Sequence, residues 1–136
     1  MNIAEISVGM SAEMSRTVTS EGILAFAEAT GDFNPVHVDE EAGKASLFGE
    51  RIAHGMLGAG LISAVLGMKL PGAGALYLSQ TLKFVKPVKI GDTVTATVEV
   101  VEVMAARKRV RLATTVRNQD GDTVIEGEAL ARVRGE

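Results

Sequence analysis

Residues 54–68 are an almost wholly apolar run in the middle of the chain, with the sequence His54-Gly55-Met56-Leu57-Gly58-Ala59-Gly60-Leu61-Ile62-Ser63-Ala64-Val65-Leu66-Gly67-Met68. A helix that is apolar on every face is normally surrounded by protein. Gly55, Gly58 and Gly60 each cost such a helix about 1 kcal/mol relative to alanine. That cost indicates close approach of another backbone or of a ligand. The sequence therefore predicts a buried central helix that Pro71 and Gly72 end.

The segments after this helix alternate apolar and polar residues, which is the period of a half-buried strand. They cover residues 75–84, 93–103, 109–117 and 123–133, with a hairpin turn at 118–122. Before the helix we expect a strand at 12–19, a helix at 21–30, a short polar helix at 39–45 and a loop at 48–51. This order predicts an α+β fold in one domain over residues 1–136. A curved antiparallel sheet would wrap around the long buried central helix, as in the hot-dog fold.

Composition excludes several classes of protein. The chain has 136 residues, a net charge of −3 and no cysteine, so neither disulfides nor thiolate metal sites are possible, and a cytoplasmic location is expected. No large basic block is present, which argues against a nucleic-acid partner. The apolar run is too short and too interrupted for a membrane span, and no signal peptide is expected at the N-terminus. Two histidines are too few for a typical catalytic zinc site, which takes three protein ligands.

The segment Gly31-Asp32-Phe33-Asn34-Pro35-Val36-His37 places a carboxylate close to one of the two histidines. We expect a loop here, shaped by Asn34 and Pro35 and held between two helices, where functional groups are common. A carboxylate and an imidazole a few ångströms apart can hold one water molecule and move its protons. Taken alone, a histidine in such a pattern is more often structural than catalytic.

Three motifs extend this observation along the chain. They are Phe26-Ala27-x3-Gly31-Asp32-x-Asn34-Pro35-x-His37, Phe48-Gly49-x2-Ile52-Ala53-His54-Gly55-Met56-Leu57 and Phe84-x2-Pro87-Val88-x2-Gly91-Asp92. In this order and spacing they resemble the R-specific enoyl-CoA hydratases, also called MaoC-like dehydratases, over nearly the whole chain. The resemblance implies reversible hydration of trans-2-enoyl-CoA to (3R)-3-hydroxyacyl-CoA. It also implies an acyl-CoA thioester as substrate and no cofactor beyond the coenzyme A of that substrate.

The resemblance assigns roles to individual residues. Asp32 and His37 match the catalytic pair of the family, and Gly55 matches the residue whose amide binds the thioester oxygen. Helix N-terminal amides are unpaired and favour negative charge, which agrees with that role. Ser63 matches a polar residue supporting the site, although a hydroxyl on an apolar helix can also bond back to its own helix.

Further residues are candidates for substrate binding or for shaping the site. Asn34 belongs to the substrate-binding set, with a turn-forming role as the simpler alternative. Leu66 and Leu130 are candidates for lining the acyl tunnel, and His54 is expected to position the start of the helix.

Two other functions remain compatible with a hot-dog fold. An acyl-CoA thioesterase would use a carboxylate to hydrolyse the thioester, and an acyl-CoA-binding subunit would lack catalysis. Because residues 93–103 carry valine and alanine on what we expect to be both faces, a homodimer or larger homo-oligomer is also predicted.

Overall fold

The computed structural model describes residues 1–134 and contains one antiparallel sheet with four α-helices in that range. The elements are β1 (Ser11–Thr17), α1 (Ser20–Thr30), α2 (Pro35–Val38), α3 (Glu40–Ala45), α4 (Gly55–Met68), β2 (Leu76–Gln80), β3 (Lys83–Phe84), β4 (Thr93–Met104), β5 (Arg109–Arg117) and β6 (Thr123–Arg132), with 3₁₀ turns at Ile3–Glu5 and Ala105–Arg107. The strand order is β1-β4-β5-β6-β2, and β3 also pairs with β6. Residues 135 and 136, the end of the predicted domain, lie outside the described residues.

Helix α4 packs across the sheet and contacts β1, β4, β5 and β6. Its inward side chains join the inward side chains of β4 in one hydrophobic core: Ala59, Leu61, Ile62, Val65, Leu66, Val94, Ala96, Val98 and Val100. The predicted architecture of a sheet covered by a central helix is therefore confirmed. Within residues 1–134, no helix is long and apolar enough to cross a membrane.

One face of α4 is open, which corrects the prediction of a helix surrounded by protein. Met56 and Met68 are 54% and 75% exposed, and Ser63 is also exposed. The reason is that the sheet covers only one side of the helix. An apolar run alone does not show whether the second side is covered by the same chain.

Two glycines of α4 allow the close approach that the sequence indicates. A Cβ on Gly55 would lie 2.6 Å from a ring carbon of Phe84, and one on Gly58 would lie 2.7 Å from Cδ1 of Ile125. A Cβ on Gly60 would meet no atom within 4 Å. Close packing of β3 and β6 against the start of α4 therefore depends on Gly55 and Gly58.

The predicted strand at 75–84 is broken into β2 and β3. The chain bends at Thr81, whose N–H donates to the carbonyl of Glu128 at 2.9 Å. A Cβ on Gly127 would lie only 1.8 Å from the carbonyl oxygen of Thr81. The missing side chain on β6 is thus what lets the bend lie against the sheet.

The outward face of β4 is polar over residues 93–99, which differs from the expectation of valine and alanine on both faces, and Val101 beyond it is 40% exposed. Its outward residues include Thr93, Thr95 and Thr97. The hydroxyls of Thr93 and Thr95 share hydrogen bonds of 2.9 and 2.7 Å with Thr17 and Ser15 of β1. The outer face of β4 next to β1 is therefore a polar ladder, and this part of the strand gives no reason for self-association.

Candidate active site

Asp32 follows directly after α1, at the point where the chain leaves the helix. Gly31 ends α1 in the left-handed conformation, with φ of 82°, which glycine adopts without steric cost. The N–H of Asp32 donates to Oγ1 of Thr30 at 3.2 Å, and its Oδ1 accepts the N–H of Asn34 at 3.1 Å. These local bonds orient the carboxylate, while the residue itself stays exposed.

His37 lies on a one-turn helix, α2, and not in the loop that the sequence predicts. Asn34 caps this helix by accepting the N–H of Val36 at 3.4 Å, and Pro35 occupies its first turn. Nδ1 of His37 donates to the carbonyl of Ile52 at 2.8 Å. Because that bond requires a hydrogen on Nδ1, Nε2 is left as the basic nitrogen of the neutral ring.

Arg51 supports the backbone of His37, a role that the predicted loop at 48–51 does not reveal although Arg51 does lie outside the helices and strands. Its side chain is only 7% exposed, and Nε donates to the carbonyl of His37 at 2.7 Å. Nη1 donates to Oγ of Ser20 and to Oε1 of Glu40, both at 3.1 Å. A Cβ on Gly43 would lie 2.6–2.9 Å from Arg51, so that glycine makes room for it. The partners are too distant in sequence for any local pattern to reveal them.

His54 also joins the site. Its Nε2 donates to the backbone carbonyl of Asp32 at 2.9 Å. Its ring lies 4.0 Å from that of His37 and 4.7 Å from that of Phe26, measured between centroids. The sequence predicts that His54 positions the start of the helix. Its side chain makes no capping bond to α4, so its side-chain contacts are with the segment that carries Asp32 and His37.

A possible set of metal ligands is formed by Asp32, His37 and His54. Among residues 1–134 they form the one such group, with ligand atoms within 4.8 Å of one another. One nitrogen of each imidazole already donates to a carbonyl. The same arrangement of a carboxylate and a basic imidazole nitrogen can instead hold a water molecule. The absence of a cofactor remains a prediction.

Two cavities flank the first turns of α4. One, of about 640 Å³, is lined mainly by apolar groups that include Phe26, Gly55, Gly58, Phe84 and Ile125, together with His54. The other, of about 740 Å³, contains Asp32, Ser63, Met56, Tyr77 and Gln80. Phe26 and Gly60 contribute to both. We call them the apolar cavity and the Asp32 cavity.

Polar groups on β2 form part of the Asp32 cavity. The hydroxyl of Tyr77 donates to Oε1 of Gln80, whose Nε2 donates to Oγ1 of Thr114 at 2.9 Å. Burial raises the pKa of Tyr77 above its ordinary value. The tyrosine therefore stays a neutral hydrogen-bond donor at physiological pH.

The predicted binding residues differ in where the structure places them relative to the two cavities. Ser63 lies in the Asp32 cavity, and Asn34 caps α2. Leu66 is 3% exposed within the hydrophobic core, and among the described residues it lines neither cavity. Its phase on α4 turns it toward the sheet, and its role in lining the acyl tunnel stays a prediction.

Leu130 is also absent from both cavities within the described chain. Its neighbours Ala129 and Ala131 face the core, and successive residues of a strand point to opposite faces. Leu130 pairs with Arg111, whose side chain forms an exposed ion pair with Glu128. Strand alternation thus places Leu130 on the outer face of the single chain, and its role in lining the acyl tunnel stays a prediction.

Known proteins similar to this chain share both its sequence and its fold. The MaoC-like domain family matches residues 3–122. The (R)-specific enoyl-CoA hydratase of Rhodospirillum rubrum is 50% identical over 129 residues, which cover 95% of this chain and 89% of the relative. The 3-hydroxybutyryl-CoA dehydratase of Methylorubrum extorquens is 49% identical, covering 95% of this chain and 82% of the relative.

Solved structures agree with these relatives. R-hydratase PhaJ1 from Pseudomonas aeruginosa superposes with a TM-score of 0.94 at 44% identity, covering 99% of this chain and 86% of the other. The (R)-hydratase from Aeromonas caviae gives a TM-score of 0.91 at 39% identity, covering 94% and 97%. The predicted hot-dog fold and the predicted family are thereby confirmed. The chain belongs to the MaoC-like dehydratase family.

Proposed function

We propose that this protein is an (R)-specific enoyl-CoA hydratase, a hydro-lyase that reversibly adds water to trans-2-enoyl-CoA to give (3R)-3-hydroxyacyl-CoA. The observation that carries the proposal is the meeting of the Asp32 carboxylate and the His37 imidazole beside the N-terminus of α4. Relatives that are 38–50% identical and bear the name (R)-specific enoyl-CoA hydratase support the same activity.

Asp32 and His37 act together on one water molecule. The carboxylate and Nε2 of His37 are both acceptors, so each can take a hydrogen bond from the water. Removal of one water proton lets the oxygen bond to the β carbon of the substrate, and the electrons of the double bond move toward the thioester oxygen. The proton then passes from the pair to the α carbon, on the same face. Hydroxyl and hydrogen thus add together, and no other reactant is needed.

The amide of Gly55 stabilises the negative charge that develops on the thioester oxygen. Gly55 is the first residue of α4, where N–H groups have no partner within the helix and the helix dipole favours an anion. An amide aimed at such an oxygen is worth about 3 kcal/mol in comparable sites. The missing side chain lets the Phe84 ring pack against the start of α4, and both residues line the apolar cavity.

The two cavities divide the substrate between them in this proposal. The acyl chain fits the apolar cavity, whose lining includes Gly58 and Ile125 beside Gly55. Ser63 supports the polar part of the site from the Asp32 cavity, and Asn34 holds the turn between the two catalytic residues.

We further propose that the protein is a homodimer. Large apolar side chains on α4 and on the edge strand β2 are exposed in the single chain: Met56, Met68, Leu76, Tyr77 and Leu78. A second copy would cover this surface and close the open face of α4. A cytoplasmic location stays a prediction of the sequence.

The assay that tests the activity follows crotonyl-CoA by the absorbance of its conjugated thioester, with a thiol reagent in a parallel sample. A hydratase removes the absorbance without releasing thiol. Thiol release would indicate the thioesterase alternative, and substrate binding without either change would indicate a non-catalytic subunit. Either of those outcomes would refute the proposed function.

A further inference from the structure

His54 is a buried residue whose side chain does not stabilise helix α4, although it stands at the start of that helix. It occupies the N-cap position, which serine, threonine, asparagine or aspartate fill best because their side chains accept helix amides. The His54 side chain makes no such bond. It is 3% exposed and turns to the loop that carries Asp32. The residue therefore serves a contact outside its own helix.

The backbone of Asp32 is tethered to the core by this contact. The other hydrogen bonds of Asp32 are local, to Thr30 and Asn34, which lie in the same exposed segment. The bond from Nε2 of His54 to the Asp32 carbonyl instead links positions 22 residues apart. Without it, the loop would keep its own turns but lose its attachment to α4.

The ring of His54 also contacts His37. The two centroids are 4.0 Å apart, with 31° between the ring planes, and Phe26 lies 4.7 Å from the His54 centroid. Because Gly55 follows in sequence, one residue touches the elements that carry Asp32, His37 and the Gly55 amide. His54 thus contacts or adjoins all three groups of the proposed reaction.

We propose that His54 is a positioning residue, which fixes the Asp32 backbone through its Nε2 donor and the His37 ring through stacking. The expected effect of His54 on kcat rests on the proposed function. A second consequence is structural and is independent of activity. The two histidines of this chain must be opposite tautomers, His37 with its hydrogen on Nδ1 and His54 with its hydrogen on Nε2.

The tautomer of His54 has a second structural reason. Its Nδ1 is buried without a hydrogen-bond partner among the described residues. A hydrogen placed there would be a buried donor without an acceptor, which costs free energy. A bare lone pair on Nδ1 is the less costly state, and it leaves Nε2 to donate to Asp32.

The kinetic test compares two substitutions that separate the donor from the ring. His54→Phe keeps a planar ring against Phe26 and His37 but removes the donor to Asp32. His54→Gln keeps an amide donor at similar reach but removes the ring. We expect His54→Phe to lower kcat by about 10- to 100-fold with KM within about threefold, since small displacements of catalytic groups cost that much.

We expect His54→Gln to recover at least about fivefold of the kcat lost in His54→Phe, because it restores the donor to Asp32. Both variants are assayed below their melting temperatures. A fully folded His54→Phe with kcat within about twofold of wild type, or His54→Gln no better than His54→Phe, would overturn the positioning role.

The tautomer test uses the unaltered protein, so it does not depend on either variant folding. Two-bond ¹H–¹⁵N correlation spectra at about pH 8.5, above the usual titration range of imidazole, distinguish Nδ1–H from Nε2–H rings. Only two rings contribute, and His37→Gln assigns them. One ring of each type, with Nε2–H at His54, is expected. An Nδ1–H or mixed His54 would refute the tether even in an active enzyme. If the wild-type protein had no hydratase activity, only the proposed function would be refuted.

Discussion

Asp32 and His37 depend on each other because both contact the same water molecule in the proposed reaction. Their side chains come from the end of α1 and from α2, outside the hydrophobic core. Removing either group should therefore affect catalysis far more than folding.

We expect Asp32→Asn and His37→Gln each to lower kcat by at least about 100-fold, the usual effect of losing a general acid or base. The double variant should lose little more than the worse single variant, since both groups serve one step. Steady-state kinetics with crotonyl-CoA, together with circular dichroism, check this. Near-normal turnover in either single variant would contradict the assignment of the pair.

Gly55→Ala tests the space beside the proposed oxyanion amide. The new methyl would lie 2.6 Å from the Phe84 ring, so the ring must move, and with it the lining of the apolar cavity that is proposed to hold the acyl chain. We expect kcat/KM to fall at least about tenfold. The gain in helix propensity, about 1 kcal/mol, should be largely offset by the displaced ring.

Gly67→Ala is the matched control on the same helix. Its Cβ would meet no atom within 4 Å. We expect a stability gain of about 0.5–1 kcal/mol in chemical denaturation, with unchanged activity. A Gly55→Ala protein that is as active as this control would remove Gly55 from the site.

Residues whose neighbours lie close in sequence were predictable, and those with distant partners were not. The segment from Gly31 to His37 carries its own turn-forming bonds, so Asp32 and His37 could be paired from the sequence. The bond from His54 to Asp32 and the bond from Arg51 to His37 span 22 and 14 residues. Only the folded chain reveals such contacts, although family motifs do mark His54 as part of a pattern.

At the scale of elements, α2 is too short to hold its own position. A four-residue helix cannot be stable alone, and its order comes from contacts at both ends. Arg51 supplies the contact at the His37 carbonyl and links it to Ser20 and Glu40 on the neighbouring helices. The position of the catalytic imidazole therefore depends on a buried guanidinium.

We expect Arg51→Met to lower the free energy of unfolding by about 1–3 kcal/mol, because the His37 carbonyl loses its donor. Activity per folded molecule should also fall as α2 shifts. Arg107→Met, at an exposed position in the 3₁₀ turn between β4 and β5, is the matched control and should stay within about 0.5 kcal/mol of wild type. Equal denaturation midpoints for the two variants would refute the support role of Arg51.

The strands show where the alternation of apolar and polar residues is sufficient to predict their boundaries and where it is not. Strand β5 matches the predicted residues 109–117, because its alternation faces one continuous core. The segment at 75–84 also alternates, yet it breaks at Thr81 because Gly127 on another strand admits a bend. Alternation along a strand predicts which of its faces is buried. It does not predict a break in the strand that is caused by a residue on another strand.

For the whole molecule, the exposed apolar surface on β2 and α4 is the main reason to expect self-association. Leu76 and Met68 are 59% and 75% exposed, and β2 is an edge strand with an unpaired side. On β4, by contrast, Val94, Val98 and Val100 are buried within one chain, and Val101 is 40% exposed. The expectation of a dimer thus remains, with a different surface as its reason.

We expect analytical ultracentrifugation at micromolar concentration to give the mass of a dimer. Leu78→Lys, which places a charge on the exposed edge, should shift the protein toward monomer, whereas the matched change Leu47→Lys, at a residue 93% exposed outside α4 and β2, should not. A wild-type monomer at that concentration would contradict the dimer. A Leu78→Lys variant that stays as dimeric as wild type would place the interface elsewhere.

In the proposed reaction, Asp32 and His37 hold one water molecule on a single face of the enoyl thioester. Hydration of crotonyl-CoA in D₂O, followed by chiral and NMR analysis of the 3-hydroxybutyryl product, tests it most directly. We expect the (3R) product with hydroxyl and deuterium added to the same face. A mainly (3S) product, or addition to opposite faces, would contradict it.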